Sequence, residues 1–127
     1  MTLTLLIVLL RLIRIQNMGS AKTEIFNQQQ NEIASLAKVL AHPARVAILQ
    51  YLFKTNACVC GDIVDEIGLA QATISQHLKE LKQVGLIKGN VEGTSVCYCI
   101  HPENWKKMKS LLHEFLDLDL AQNSCCS

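Results

Sequence analysis

Apolar residues recur at intervals of three and four positions through most of the chain, which is the spacing of an amphipathic α-helix. The first predicted helix runs from about Glu24 to Leu40, and Pro43 suits the first turn of a second helix that ends at Thr55–Asn56. A short helix is predicted from about Gly61 to Ile67, and a longer helix follows from Gln71 to about Val84.

Beyond the fourth predicted helix, branched and aromatic residues cluster in two short runs, Leu86–Val91 and Ser95–Ile100, around a Glu92–Thr94 turn. These runs predict the two strands of a β-hairpin. A final helix is predicted from near Pro102, with apolar residues at Trp105, Met108, Leu111, Leu112, Phe115 and Leu116. The order of elements predicts a mainly α fold with a small β-hairpin, the winged helix-turn-helix, in which the helix after Gly68 enters the major groove of DNA.

The chain has 127 residues, of which half are hydrophobic, and this length fits one domain with a small core. Because small domains bury a modest fraction of their surface, a dimer is expected. The formal net charge is only +1, so affinity for DNA must come from a local patch that a homodimer doubles. The domain is predicted to span residues 21–118, between an apolar extension at 1–20 and a flexible cysteine-containing tail at 119–127.

The N-terminal run Thr2–Ile15 is nearly all apolar, apart from Arg11 and Arg14. It is shorter than the roughly 20 residues of a membrane span, and its positive charges follow the apolar run, whereas those of a signal peptide precede it. We expect an extension ahead of Met18, the natural start, and no contact with a membrane. The alternative is a helix on a membrane surface, but the segment lacks a clear polar face.

The six cysteines lie in three close pairs, Cys58 with Cys60, Cys97 with Cys99, and Cys125 with Cys126. Elsewhere the chain has regular amphipathic helices and not a loop-rich disulfide scaffold, so we expect reduced thiols and a cytoplasmic protein. Paired cysteines also suit the capture of a metal or metalloid better than long-range cross-links. Cys58 and Cys60 can converge on one ion if they straddle the start of the short helix, where the helix N-terminus also favours thiolate.

The other two cysteine pairs are candidates for a third ligand. Alternation places Cys97 and Cys99 on one strand face, opposite an aromatic and branched set that suits the core. They then face outward or toward a neighbouring strand, and pairing of this strand with the segment before the short helix brings one of them near Cys58. Cys125 and Cys126 lie in a polar tail that can deliver a thiolate. The alternatives are an exposed strand pair and a tail that have no ligand role.

The start of the fourth predicted helix presents polar side chains suited to reading DNA. Gln pairs with adenine, Ser or Thr contacts several bases or phosphates, and lysine and histidine meet phosphates. The predicted DNA-contacting residues are Gln71, Thr73, Ser75, Gln76, His77, Lys79 and Lys88. The alternative is a solvated helix face. His77 also lies close to the predicted buried stripe of Ile74, Leu78 and Leu81.

Three motifs between about Glu32 and Leu116 resemble the ArsR/SmtB family of metal-responsive repressors. They resemble the start of the family's second helix, its recognition helix and its wing, and they lie at Leu40–Leu49, Ala70–Leu81, and Gly85–Ile87 with Gly93–Ile100. The resemblance implies a dimer that represses transcription until its inducer binds.

A fourth stretch, Ala57–Ile63, resembles the arsenic-site motif of the arsenite-responsive branch of that family. The resemblance implies that Cys58 and Cys60 supply two thiolates. The branch has a third cysteine one turn on, where this chain has Ile63. The third ligand therefore stays open among Cys97, Cys99, Cys125 and Cys126.

These observations predict a transcriptional repressor, a homodimer on double-stranded operator DNA, that is released by As(III) or Sb(III) bound to cysteine thiolates. No cofactor is expected for DNA binding. The alternatives are a repressor of the same fold that responds to zinc, cadmium or thiol oxidation. An enzyme of the arsenate reductase type is disfavoured, because the sequence has no phosphate loop or nucleophile elbow. A zinc site at His101, His113 and Glu114 is disfavoured against scattered solvated side chains.

Overall fold

The computed structural model describes residues 23–120. Contacts divide the chain into a first unit that ends at Asn31 and a second unit that begins at Glu32. In the first unit, Thr23–Ile25 forms a 3₁₀ turn. Asn27 and Gln30 then exchange two side-chain-to-backbone hydrogen bonds of 2.8 and 2.9 Å, the reciprocal pattern that caps a helix N-terminus.

The observed elements confirm a mainly α fold with one antiparallel hairpin in the described part of the chain. The helices are α1 (Gln28–Leu40), α2 (Pro43–Thr55), α3 (Asp62–Ile67), α4 (Gln71–Val84) and α5 (Pro102–Leu116), and the strands are β1 (Ile87–Glu92) and β2 (Ser95–Ile100). The first helix begins later than the predicted Glu24, because the 3₁₀ turn and the Asn27 cap precede it.

Histidine–proline steps begin two of the helices. The His42 ring accepts a hydrogen bond from the Ala44 amide at 3.1 Å, and Pro43 occupies the first turn of α2. In the same way, the His101 ring accepts a hydrogen bond from the Asn104 amide at 3.3 Å at the start of α5. Both imidazoles therefore act as side-chain caps for otherwise unpaired amides.

The end of α4 requires a glycine. Gly85 has a φ of 83°, in the left-handed region that side chains disfavour. The Asn104 amide nitrogen donates to the Gly85 carbonyl at 2.9 Å, and this nitrogen would lie 2.8 Å from a Cβ atom at position 85. The close contact fixes the first turn of α5 against the end of α4.

The core of the second unit is a single cluster of mostly branched aliphatic side chains. The predicted stripe of α4 is buried, as Ile74, Leu78 and Leu81 show. The side chains packed with it include Leu36, Val39, Ile48, Leu49, Leu52, Val59, Ile63, Leu86, Ile87 and Met108. Ile63 is only 3% exposed, so the position at which the resembling branch has a cysteine is a core position here.

Arg45 links three helices from a buried position near the start of α2. Its guanidinium donates to the carbonyl oxygens of Lys38 and Val39 at the end of α1, at 3.1 and 2.5 Å. It also pairs with the carboxylate of Glu80 on α4. Because the last carbonyls of a helix have no partner within it, Arg45 satisfies α1 while it holds α4.

The segment before α3 adds a third extended stretch to the hairpin. β1 and β2 pair antiparallel in continuous register. On the other side of β2, Val59 forms an antiparallel bridge with Tyr98, with N···O distances of 2.8 and 2.9 Å in the two directions. Of the two alternatives for the second strand, an exposed face or pairing with the segment before α3, the structure has the pairing.

Within residues 23–120, no helix is long and apolar enough to span a bilayer. The N-terminal run Thr2–Ile15, Met18 and the tail pair of Cys125 and Cys126 lie outside the described residues. The extension at 1–20 and the role of the tail thus stay predictions.

Candidate DNA-reading helix and cysteine cluster

The first two turns of α4 carry an exposed polar face. Its members are Gln71, Thr73, Ser75, Gln76 and Lys79, and all five are exposed. Gln71 and Gln76 each reach along the helix, the first to the Ser75 hydroxyl and the second to the Glu80 carboxylate, both at 3.4 Å. These long contacts hold the amides weakly. The face is therefore free to exchange them for base edges and phosphates.

His77 does not belong to this polar face, and we withdraw it from the predicted DNA contacts. Its side chain is 8% exposed, and its ring packs on His42 with the centroids 4.4 Å apart. Burial lowers the pKa of His77, and the neighbouring His42 and Arg45 act in the same direction. Its position between Ile74 and Leu81 on the buried stripe explains why a histidine at this place is core-facing and not a phosphate contact.

Lys88 lies on the hairpin, away from α4 along the sequence. It is exposed and pairs in register with Cys99, so it shares a sheet face with that cysteine. Lys88 also lines a cavity of about 450 Å³ together with Cys58, Cys99 and Trp105. Its predicted role as a phosphate contact stays a prediction, and the structure places it beside sulfur.

The two central cysteine pairs meet across the sheet. The Cα atoms of Cys58 and Cys99 are 4.3 Å apart, and those of Cys60 and Cys97 are 4.1 Å apart. These two contacts flank the hydrogen-bonded Val59–Tyr98 pair, so they occupy the close, non-hydrogen-bonded positions of an antiparallel ladder. We call Cys58, Cys60, Cys97 and Cys99 the cysteine cluster. Its side chains share one face, because the members of each pair are two residues apart in extended backbone.

Cys58 is paired with Cys99 and Cys60 with Cys97 as disulfides in this structure, so the long-range cross-links that the sequence analysis disfavoured are sterically possible, and the expectation of reduced thiols stays a prediction. The cause of the pairing is the register in which Cys58–Cys60 lies against β2, fixed by the bridge between Val59 and Tyr98. It places each sulfur directly opposite a partner that is 37 or 41 residues away in sequence. A Cys-x-Cys motif in isolation indicates only the shared face.

Burial within the cluster also differs from the outward-facing alternative. Cys97 is fully buried and Cys99 is 8% exposed, because the Val59 segment covers them. Cys58 and Cys60 are exposed. The cavity beside Cys58 and Cys99 opens this side of the cluster to small solutes. A thiophilic solute can therefore reach the Cys58 and Cys99 sulfurs from the side lined by Asn56, Lys88 and Trp105.

Glu92 is a candidate ligand that the sequence analysis missed. Its carboxylate oxygen and the sulfurs of Cys60 and Cys97 lie within 4.8 Å of one another. Among residues 23–120, this is the group of histidine, cysteine and acidic side chains close enough to hold an ion. The signal was the hairpin register, since Glu92 is two residues from Asn90, which pairs with Cys97. His101, His113 and Glu114 form no such group in that range.

Comparison with known proteins places these features in context. The model of the bacterial regulatory protein arsR family matches residues 42–88. An uncharacterized HTH-type transcriptional regulator of Methanocaldococcus jannaschii is 35% identical over 88 residues, which cover 68% of this chain and 98% of that protein. A cadmium resistance transcriptional regulatory protein, a CadC homolog of Staphylococcus aureus, is 34% identical over 97 residues, 74% and 79% of the two chains. The arsenical resistance operon repressor of Staphylococcus xylosus is 33% identical over 86 residues, 68% and 71%.

Solved structures share the fold. HlyU from Vibrio cholerae superposes with a TM-score of 0.58 at 27% identity, over 71% of this chain and 97% of that one. A homodimeric winged helix-turn-helix DNA-binding domain from Mycobacterium bovis superposes with a TM-score of 0.56 at 25% identity, over 80% and 89%. The helix pair α3–α4 and the hairpin therefore match a helix-turn-helix and its wing.

Proposed function

The chain belongs to the arsR family of bacterial regulatory proteins, and we propose from this premise that it is a transcriptional repressor released from operator DNA when a thiophilic ion binds the cysteine cluster. Its family consists of transcriptional regulators and not enzymes. We infer that the inducer is trivalent arsenic or antimony, as the likeness to an arsenical resistance operon repressor supports. The protein would act in the cytoplasm on double-stranded operator DNA.

The position of the cysteine cluster is the observation that carries this proposal. Cys58 and Cys60 immediately precede α3, the first helix of the DNA-binding pair, and Cys97 and Cys99 lie in the wing. An ion bound between these segments changes the distance from the wing to the start of α3. Because α4 follows α3 directly, that change reaches the DNA-reading face. Coupling free energies of about 1–3 kcal/mol per site are typical of such linked sites.

The chemistry begins with the reduced cluster. A low-molecular-weight dithiol supplies two electrons and two protons to each disulfide and is itself oxidised. Three of the thiols then form As–S bonds with As(OH)₃, three As–O bonds break, and three waters leave. The Cα separations of 4.3 Å between Cys58 and Cys99 and 4.1 Å between Cys60 and Cys97 support either wing cysteine as the third ligand beside Cys58 and Cys60. Delivery by Cys125 or Cys126 remains the alternative.

We also infer a homodimer, since a relative of the same fold is homodimeric and DNA-binding. Two α4 helices would then read half-sites about one helical turn apart. Exposed apolar side chains on α5, among them Phe115 at 48% and Leu116 at 76% exposure, supply surface for such an interface. No cofactor is needed for DNA binding itself.

Gln71→Ala or Gln76→Ala is expected to weaken operator binding by about 1–3 kcal/mol, because each change removes an amide that can pair with a base edge. Fluorescence anisotropy with labelled operator DNA measures the loss, and circular dichroism checks that the helices persist. Gln83→Ala is the matched control, since Gln83 is exposed on the last turn of the same helix. Equal affinity in all three variants would show that the first turns of α4 do not read bases.

A second candidate function, release or retention controlled by thiol oxidation, is favoured by the two disulfides. The disulfides join the stretch before α3 to the wing, so the oxidised and reduced proteins differ in how freely these two parts of the chain can separate. The inducer is then an oxidant, and the cluster is its target. Titration of the operator complex with arsenite, antimonite, cadmium, zinc and peroxide separates the two candidates.

The free energy of unfolding of the oxidised protein is expected to exceed that of the reduced protein by about 2–4 kcal/mol, because a cross-link reduces the entropy of the unfolded chain. The second disulfide adds little, since its loop of 37 residues lies within the loop of 41. Urea unfolding with and without dithiothreitol measures the difference. A Cys58→Ser/Cys60→Ser variant should show none, and a wild-type protein that also shows none would contradict the pairing.

A further inference from the structure

The wing brings an oxygen donor to the cysteine cluster. Side chains of β1 alternate, and the residues opposite Cys99, Cys97 and Ser95 are Lys88, Asn90 and Glu92. Because directly opposed residues of an antiparallel pair share a face, Glu92 is on the face of the cluster at the end nearest Cys60 and Cys97. The three donors come from three separate segments, which are the stretch before α3, β1 and β2.

Small movements bring the three donor atoms to the spacing that one small ion needs. The two sulfurs and the carboxylate oxygen lie within 4.8 Å of one another. Zinc forms bonds of about 2.3 Å to sulfur and about 2.0–2.2 Å to carboxylate oxygen, so tetrahedral ligands sit roughly 3.5 Å apart. Reduction of the Cys60–Cys97 disulfide lets the two sulfurs move apart to that separation, and the Glu92 carboxylate moves toward them by about an ångström. Cys60 and Glu92 are both exposed and can make this adjustment.

We propose that the reduced Cys60 and Cys97 thiolates and the Glu92 carboxylate form a binding site for a divalent cation, zinc or cadmium. Two thiolates and a carboxylate carry three negative charges, which suits a divalent ion of borderline softness. A water completes the fourth position, as in zinc sites with three protein ligands. Ligation releases two thiol protons per ion, after a dithiol has reduced the Cys60–Cys97 disulfide with two electrons.

The Glu92 carboxylate distinguishes this divalent-cation site from the proposed arsenic site, because the two ligand sets prefer different ions. Trivalent arsenic takes three thiolates, whereas a carboxylate is a hard ligand that zinc accepts readily. The effect of the divalent ion on operator binding rests on the proposed function, but its binding to the protein does not. The two hypotheses can therefore fail independently.

The test uses the full-length protein, reduced anaerobically and titrated with Cd²⁺ alone and with Zn²⁺ alone. Cadmium–thiolate charge-transfer absorption reports ligation by sulfur, and competition with a chelating dye gives the affinity. Glu92→Gln should lower the affinity for both ions at least about tenfold, a loss of the size seen when groups that support a metal site are removed. Glu103→Gln, an exposed acid on α5, should leave the affinity unchanged.

X-ray absorption on the cadmium-loaded protein should show two sulfurs with oxygen in the remaining shell. Cys60→Ser, at an exposed position that leaves the core intact, should remove one of the sulfurs. A shell of four sulfurs, or wild-type affinity in Glu92→Gln, would overturn the proposal in favour of a site made by the cysteine cluster alone. Release from operator DNA by arsenite should be the same in Glu92→Gln as in the wild-type protein. If arsenite does not release the wild-type protein, only the proposed function is refuted.

Discussion

Replacing Cys58 or Cys60 with serine should leave operator affinity close to that of the wild-type protein and abolish release by arsenite. Both cysteines are exposed and outside the core cluster, so serine costs little stability at either position. Both contribute to the proposed three-thiolate site, so the loss of either leaves two sulfurs of that site. The wild-type protein should lose about 5–150-fold in affinity per site when arsenite binds, and the variants should lose none.

Fluorescence anisotropy with labelled operator DNA, on protein kept reduced, measures this release. Wild-type protein with both disulfides formed is the matched oxidised control, and it should resist arsenite as the serine variants do. Cys97→Ser, Cys99→Ser and a chain truncated after Gln122 then identify the third ligand, since one of the three should lose the response. Normal release from both the Cys58 and Cys60 variants would place the sensor elsewhere.

Arg45→Met should destabilise the protein by about 3 kcal/mol, near the lower end of the cost of removing one partner from a buried ion pair. The Arg45 side chain is 10% exposed, whereas Glu80 is 37% exposed and regains water when its partner leaves. The larger loss falls on α1, whose Lys38 and Val39 carbonyls lose their donor. Methionine preserves the length of the side chain, so the loss of hydrogen bonds dominates over the loss of volume.

Urea unfolding followed by circular dichroism measures the effect, with the disulfides in the same state in each sample. Glu80→Gln is the comparison, because it removes the ion pair and leaves the guanidinium bonded to the α1 carbonyls. It should cost clearly less than Arg45→Met. If the two variants lose the same stability, the ion pair and not the helix end is what Arg45 supports.

The periodicity of apolar residues predicted the helices because core contacts and helical spacing coincide in this chain. Ile74, Leu78 and Leu81 were predicted as a buried stripe and are buried. The start of α1 was misplaced because a local cap at Asn27, and not hydrophobic spacing, determines where that helix begins. His77 was assigned to DNA from its residue type, although its place on the stripe made burial the stronger expectation.

The cysteine cluster shows where sequence reasoning ends. Alternation gave the shared face of Cys97 and Cys99, but their neighbour depended on a bridge between Val59 and Tyr98, which are far apart along the chain. The disulfide pairing follows from that bridge and from no local pattern. Glu92 was missed for the same reason, since its relation to Cys60 exists only after the sheet has formed.

Because of the Val59–Tyr98 bridge, the effect of an inserted residue on the cysteine pairing depends on where it is inserted. A residue added at the Gly93–Thr94 turn lengthens a loop and leaves every sulfur opposite its partner. A residue added between Cys58 and Cys60 turns one of the two sulfurs to the opposite sheet face. Relatives that keep this cluster should therefore vary in the length of the turn and never in the spacing of either Cys-x-Cys motif.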